Sequence, residues 1–345
     1  MQAVILAGGF GTRLRPLTLN TPKPIVPIGN QPFLLRQINA LKKAGSNEII
    51  LSLNYQPTAI KEVLGDGSNF GVNLKYVVEP APMGTAGAYK FTGKHLHTTT
   101  IVLNGDILTD IDLQTVIENH EKNEAIATIV LTRVENPSAY GLVETGENGR
   151  ILRFLEKPKP EEIKKLNINT INAGIYILEP EVLELIPEDE KYSFENQLFP
   201  KLLERKGKFY SYTAEDDYWI DIGTHRRYLQ AHYDLLSGKI KNFKINRNNN
   251  YQSSASAEID DKSCLANGCR IGSDVKIINS VLGENVIVED GAVIRNSIIW
   301  KGTKIGSQAK ISGSIIGLDC SIGKNVSVAD SSVLGDKTIL ANLNI

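Results

Sequence analysis

The chain has 345 residues, of which 41% are apolar and 22% charged, and its acidic and basic side chains balance to a net charge of -1. That length and apolar fraction allow two folded domains with cores of their own, and the charge balance gives no electrostatic ground for binding nucleic acid. Three widely spaced cysteines, Cys264, Cys269 and Cys320, argue against a disulfide framework and for a reducing cytoplasm; with no leader-like start and no apolar run of about 18 residues, a soluble protein is expected.

The first elements alternate. Residues 4–7 form a short β-rich run that ends in a glycine loop, Gly8-Gly9-Phe10-Gly11. Residues 31–44 carry Phe33, Leu34, Ile38 and Leu41 at helical spacing, with Pro32 near the start and Gly45 just past the end, so a helix is expected there. Further strands are expected at 48–53, 74–79 and 100–103, with helices around 58–64 and 112–122. Such alternation implies a largely parallel sheet covered on both faces, with ligands beyond the carboxyl ends of its strands. The glycine loop lies at one such end, and Asn104-Gly105-Asp106 at another.

The last ninety or so residues follow another rule. Ser263, Ser280, Ser297 and Ser314 recur every 17 residues, each followed by two apolar residues, and Ser332 repeats the pattern one residue late. Within a unit the apolar residues return at intervals of six, six and five, as in Leu282, Val288, Ile294 and then Ile299. One apolar residue per short strand and three strands per coil describe a triangular solenoid around an aliphatic stack. This pattern resembles the hexapeptide repeats of left-handed β-helices. A polar, asparagine-rich stretch precedes it, so the expected organisation is a first domain over 1–238, a linker over 239–255 and a β-helix over 256–345. A flat solenoid face with aliphatic residues invites self-association, so a homo-oligomer is expected.

The glycine loop is not the dinucleotide fingerprint, because Leu14 stands where the third glycine belongs and Pro16 would disrupt a helix begun there. Nor is it a P-loop, since no Gly-Lys-Ser/Thr follows. Two readings stay open on the residues alone: a tight turn, or backbone amides cradling a polyphosphate with Arg13 and Lys23 to neutralise it.

The stretch "LAGGFGTRLRPLT", followed by "PKP", resembles the signature of sugar-1-phosphate nucleotidyltransferases. The rest of that family's pattern occurs in order: "EPAPMGTAGA" from Glu79, Asn104-Gly105-Asp106, Tyr140-Gly141, "EKP" from Glu156, "NAGIYIL" from Asn172 and "WIDIG" from Trp219. The spelling of the loop and of "PMGTAGA" is most similar to mannose-1-phosphate guanylyltransferases, with Met83 a small departure from the leucine more often found there. The resemblance implies a Rossmann-like, mixed-sheet α/β domain of the GT-A type followed by the left-handed parallel β-helix. It implies transfer of a nucleoside monophosphate from a nucleoside triphosphate, GTP first, to a sugar 1-phosphate, mannose 1-phosphate first; thymidylyl or uridylyl transfer to glucose 1-phosphate is the alternative within the family.

Elementary chemistry is compatible with that activity. A phosphate whose second pKa is about 6 is already an anion at neutral pH and needs no general base. The barrier is the crowding of two polyanions, which cations relieve. The resemblance places Leu6, Ala7, Gly8, Gly9, Gly11, Thr12, Arg13, Lys23, Glu79, Gly84, Thr85, Asn104 and Asp106 on the nucleotide. It places Gly141, Glu156, Lys157 and Asn172 on the sugar phosphate, gives Arg13, Lys23, Asp106, Lys157 and Asp221 catalytic roles, and makes Asp106 and Asp221 ligands of Mg2+. Asn172 can also be read as a turn residue, and either aspartate as a cap of a backbone amide. The five histidines read as surface or helix residues, and a zinc site is not expected. Acyl transfer by the β-helix would call for a solenoid histidine, and none follows His232. A catalytically silent nucleotide-sugar sensor is the other rival; such relatives lose cations or carboxylates that this sequence keeps.

Overall fold

A computed structural model describes residues 1–156, 159, 161, 168–205, 207–241, 243, 245 and 250–341. Lys157 and residues 242, 244 and 246–249 of the expected linker lie outside the described residues. The chain separates into two compact units, one of residues 1–9 and 34–219, the other of residues 10–33 and 220–345.

In chain order the strands up to residue 221 are β1 (Gln2–Leu6), β2 (Pro27–Ile28), β3 (Gln31–Pro32), β4 (Glu48–Leu53), β5 (Asn73–Val78), β6 (Thr100–Asn104), β7 (Ile107–Thr109), β8 (Ala127–Arg133), β9 (Gly141–Thr145), β10 (Ile151–Glu156), β11 (Thr170–Leu178), β12 (Phe209–Ala214) and β13 (Trp219–Asp221). The helices are α1 (Leu34–Lys43), α2 (Pro57–Leu64), α3 (Gly84–Thr92), α4 (Leu113–Lys122), α5 (Phe199–Glu204) and α6 (His225–Leu236).

The first unit is built on a nine-stranded sheet with the order β10-β9-β11-β6-β1-β4-β5, extended by β8 on β11 and β12 on β8. β6, β1, β4 and β5 run parallel, as the alternation of strands and helices requires. The expectation of a largely parallel sheet fails on the other side, where β11 is antiparallel to β6, β8 and β9, and β9 to β10. At β9 and β10 the cause is local: only five residues, two of them glycine, separate the strands, enough for a hairpin and too few for a crossover. A core of buried aliphatics and aromatics lines the sheet, with Tyr176, Phe194 and Phe199 packed ring to ring at 4.9–5.6 Å.

Strand order also marks the place for a ligand. From β1 the chain moves outward to β4 and β5, then returns to β6 on the other side of β1, so the direction of winding reverses between β1 and β6. Their carboxyl ends, Leu6 and Asn104, are paired neighbours, and the Gly105 amide donates to the Leu6 carbonyl at 2.8 Å. A crevice opens at such a reversal.

In the second unit, residues expected to begin a helix at 31 instead form a hairpin: Pro27–Ile28 pairs with Gln31–Pro32 around Gly29 and Asn30, both in the left-handed region at φ 57° and 64°. A Gly-Asn pair suits a two-residue hairpin turn, and α1 starts only at Leu34. The solenoid folds as its repeat predicts, into three parallel sheets of six, five and five short strands. Leu265, Leu282, Ile299 and Ile316 stack in register inside it. The serine period has a bonding reason. Each hydroxyl accepts the amide of the serine one coil on, Ser280 on Ser263 at 3.1 Å, Ser297 on Ser280 at 3.1 Å and Ser314 on Ser297 at 3.2 Å, which satisfies buried donors at one corner.

The three cysteines are buried and in no disulfide, Cys269 and Cys320 inside the aliphatic stack, where a thiol behaves as a small hydrophobe. His120 and His232 are helical as read but not at the surface. Both are buried and hydrogen-bonded at each ring nitrogen, His120 to Thr128 and Glu179, His232 to the Tyr228 carbonyl and the Gly29 amide.

Candidate active site

In the first unit the loop after β1 meets the strand ends beside it. The Ala7 amide donates to the Ser52 carbonyl at 2.9 Å, and a side-chain carbon at Gly8 would lie 2.9 Å from Oε1 of Glu79. Glu79 itself is buried: Oε1 accepts the Ser52 hydroxyl at 3.0 Å and Oε2 the Met83 amide at 3.2 Å. Burial raises its pKa above the ordinary carboxylate value, against the lowering effect of those two donors. The carboxylate therefore ties β4 to the start of α3 while facing the glycine loop.

Gly84 opens α3 and has no substitute. Its φ is +75°, and a Cβ there would meet the Tyr192 carbonyl oxygen at 2.6 Å. Thr85 next to it donates from Oγ1 to Oε2 of Glu195 at 3.0 Å and accepts the Phe194 amide at 2.9 Å. The other carboxylate oxygen of Glu195 accepts the Tyr176 hydroxyl at 3.4 Å, and that hydroxyl accepts Nδ2 of Asn172 at 2.9 Å. Oδ1 of Asn172 accepts the Gly174 amide at 2.8 Å, where the register of β11 on β8 shifts. Asn172 is thus a turn residue as well as a candidate ligand. Thr85 and Asn172, read as nucleotide-side and sugar-side residues, are joined through Glu195 and Tyr176.

Gly141 and Glu156 face each other across the β9–β10 hairpin, and a Cβ at Gly141 would lie 2.8 Å from Oε2 of Glu156. Tyr140 and Trp219 make an edge-on pair 5.5 Å apart, and Nε1 of Trp219 donates to the Ala173 carbonyl at 2.9 Å. Asp106 follows β6 in a turn held from α1: Nε2 of Gln37 donates to the carbonyls of Asn104 and Ile107 at 2.8 and 3.0 Å.

The second unit holds the remaining candidates. Gly11 has φ +63°, and a Cβ there would sit 3.0 Å from Cβ of Lys23, so the loop folds directly onto that lysine. Thr18 fixes the fold by donating to the Gly11 carbonyl at 2.8 Å. Thr12 and Arg13 lie in a single 3-10 turn, and Lys23 begins another with only 9% of its surface exposed, so it is not a solvated surface lysine. Oδ1 of Asp221 accepts the Gly223 amide at 3.0 Å, and its Oδ2 accepts the Arg227 guanidinium. A carbon added to Gly223 would lie 2.7 Å from that Oδ1 and 2.8 Å from the Arg13 guanidinium. Arg13 and Arg227 therefore flank one carboxylate, and Lys23 packs on Gly11, two residues before Arg13, so this unit carries three cations of the kind that bind a polyanion.

The profile of the nucleotidyl transferase family matches residues 2–238, two thirds of the chain. The chain belongs to the nucleotidyl transferase family.

The profile of the EIF2B subunit epsilon LbH domain, a left-handed β-helix, matches residues 243–344. This nucleotidyl transferase is 37% identical to the mannose-1-phosphate guanyltransferase of Pichia angusta over 99% of the chain and 98% of the relative. It is 36% identical to the mannose-1-phosphate guanylyltransferase of Mycobacterium tuberculosis over 85% of the chain and 83% of the relative. It is also 36% identical to the UTP--glucose-1-phosphate uridylyltransferase of Synechocystis over 87% and 83%. No helix among the described residues is long and apolar enough to cross a membrane.

Carboxylate oxygens are the donors that a hard divalent cation takes. Asp106 in the first unit and Asp221 in the second each carry them, and no group of three or more histidine, cysteine, aspartate and glutamate side chains that could hold a metal ion occurs among the described residues.

Sequence reasoning missed Arg227, Glu195, Ser52 and Gln37. Glu195, Ser52 and Gln37 each act on a motif residue from a distant point in the chain, and nothing in their own neighbourhoods marks them; Arg227, six residues beyond Asp221, did have a local signal in its closeness to "WIDIG".

Glu79 gives a pH prediction. A carboxyl group with a raised folded pKa adds stability in full below the ordinary value of about 4.3, and that addition is lost as pH rises through the elevated value. In thermal unfolding of Glu79→Gln beside the wild type, the difference in Tm is expected to move in the variant's favour as pH rises from acid toward neutral. A difference independent of pH would mean that burial of Glu79 does not perturb it.

Proposed function

We propose that this chain is a sugar-1-phosphate nucleotidyltransferase that joins GTP and mannose 1-phosphate into GDP-mannose and pyrophosphate. The observation that carries the reading is the pair Arg13 and Arg227 on either side of Asp221, with Lys23 folded against the glycine loop, in a chain matched almost end to end by a mannose-1-phosphate guanyltransferase. An oxygen of the sugar phosphate attacks the α-phosphorus. The new P–O bond forms as the bond to the β-phosphate bridge breaks, and pyrophosphate leaves with that electron pair. No proton has to be abstracted, so the protein's work is to hold two anions in line and to offset the charge that builds on the leaving group.

Arg13 and Lys23 serve the triphosphate. Gly8, Gly9, Gly11 and Thr12 bring backbone amides to it, Glu79, Gly84 and Thr85 border the base, and Gly141, Glu156, Lys157 and Asn172 take the sugar phosphate. Asp106 and Asp221 would hold Mg2+, which supplies charge neutralisation at the phosphates when bound. The uridylyltransferase relative supports a second reading, uridylyl transfer to glucose 1-phosphate. Buried cysteines in no disulfide suit a cytoplasmic protein. The β-helix would provide self-association through its last coil, where Ile339 is 75% exposed.

Pyrophosphate release across a matrix of GTP, UTP, dTTP and ATP against mannose 1-phosphate and glucose 1-phosphate tests the reading. GTP with mannose 1-phosphate is expected to dominate. Turnover highest with UTP and glucose 1-phosphate would replace this assignment with the second, and silence in every cell would favour the sensor. Light scattering of the same samples decides the assembly, which a monomer at all concentrations excludes.

A further inference from the structure

One face of the β-helix is turned on its own chain. The outward row of the third sheet, Cys264, Val281, Ile298 and Ile315, is at most 2% exposed, whereas the outward rows of the other two sheets carry exposed charges such as Arg270, Lys276, Lys304 and Lys310. Hydrogen bonds identify what covers it. Asn30 donates from Nδ2 to the Leu282 carbonyl at 3.0 Å, Asn20 to Oδ2 of Asp336 at 3.1 Å, and the Tyr233 hydroxyl to the Asn296 carbonyl at 2.6 Å. The cover is α6 together with the segment that carries Gly11, Arg13 and Lys23.

At the centre of this face stands Trp300, fully buried. Its Nε1–H donates to the Tyr228 hydroxyl at 3.1 Å, and that hydroxyl donates to the Pro27 carbonyl. The direction is forced: indole nitrogen is a donor only, so the single phenolic proton must go to the carbonyl. One turn along α6, His232 accepts the Gly29 amide on Nε2 at 3.3 Å and bonds the Tyr228 carbonyl through Nδ1 at 2.9 Å. The segment from 11 to 32 has no regular element beyond two single turns and a pair of two-residue strands. Left alone it would be mobile, and its cations would lose entropy on meeting a ligand.

We propose that Trp300 and Tyr228 are positioning residues for the nucleotide: the β-helix, through Trp300, Tyr228 and the Pro27 carbonyl, holds the 11–30 segment in the shape that presents Arg13 and Lys23 to a triphosphate. The proposal rests on the reading that these two cations meet the triphosphate. On this account the β-helix is part of the substrate site and not an appended module.

Full-length Tyr228→Phe keeps its ring and removes the hydroxyl, and Trp300→Phe removes the Nε1–H donor while leaving a smaller aromatic ring. Amide hydrogen exchange of the protein without nucleotide is expected to quicken over residues 20–33 in Tyr228→Phe and to stay unchanged in the β-helix coils. Calorimetric titration with GTP is expected to give a Kd raised about five-fold, with KM for mannose 1-phosphate within about two-fold of wild type. The double variant is expected to be no weaker than Tyr228→Phe, because both changes cut one relay. Wild-type exchange over 20–33 overturns the brace. Equal losses for both substrates, in step with lowered Tm, overturn the positioning role in favour of general stability. The wild-type titration reports separately on function: if that protein takes up no nucleoside triphosphate, the assignment of the activity fails, while the exchange comparison still decides the brace.

Discussion

Replacing Asp106 or Asp221 by asparagine is expected to lower turnover by about a hundred- to a thousand-fold, the usual scale for removing one group that meets transition-state charge. Asparagine keeps the size of the side chain and an oxygen that can still accept the Gly223 amide at position 221, so the local backbone survives. What disappears is the negative charge that, on the proposed reading, would hold a divalent ion. At position 221 the change also leaves Arg227 without its carboxylate, but that guanidinium is one third exposed and can be hydrated. The loss should therefore appear in kcat and in the Mg2+ concentration needed for half-maximal rate, while the unfolding midpoint stays near wild type. Full turnover in the double variant would eliminate the charge-based mechanism.

Gly84→Ala is expected to cost about 3 kcal/mol of stability, from a left-handed backbone that an L side chain resists and from hydrogen bonds lost to the intruding methyl. The methyl carbon would stand 2.6 Å from the Tyr192 carbonyl oxygen, which accepts the amides of Ala86 and Gly87 at 3.0 and 2.9 Å. The Tyr192 amide in turn donates to the Met83 carbonyl at 2.9 Å. Neither side is the far end of a flexible side chain, so relief requires backbone to move and the first turn of α3 to loosen. Thr85 moves with it and loses Glu195. Chemical denaturation followed with activity measures both consequences, and a variant as stable as wild type would show that the close approach at Gly84 does not exist in solution.

Much of the fold was legible because its causes are local. Apolar residues spaced for helices and strands fall within a residue or two of the observed elements at β1, β4, β5, β6, α2 and α4. The errors came where a local cue had two outcomes. Residues 31–33 carry a helix-like pattern, but Gly29-Asn30 before them closes a hairpin and takes Gln31 and Pro32 into it. The antiparallel half of the sheet was hidden for a different reason: strand direction depends on partners far along the chain, which periodicity does not encode. One long-range fact did have a sequence signal. The paired apolar residues Cys264-Leu265, Val281-Leu282, Ile298-Ile299 and Ile315-Ile316 break the in-out alternation of a strand with one wet face, and such a break means that both faces are covered. Read so, it points to an intramolecular cover for a face that otherwise suggests self-association.

By itself the sequence determined the two architectures, the phase of the solenoid and the identities of the motif residues, because side-chain period and residue type act within a few positions of each other. Only the tertiary structure decided that the 10–33 segment belongs with the β-helix, that Asp221 stands between Arg13 and Arg227, and that Glu195 links Thr85 to Asn172. These facts depend on how segments tens to hundreds of residues apart share buried surface and hydrogen bonds, and that is settled by packing the whole chain at once.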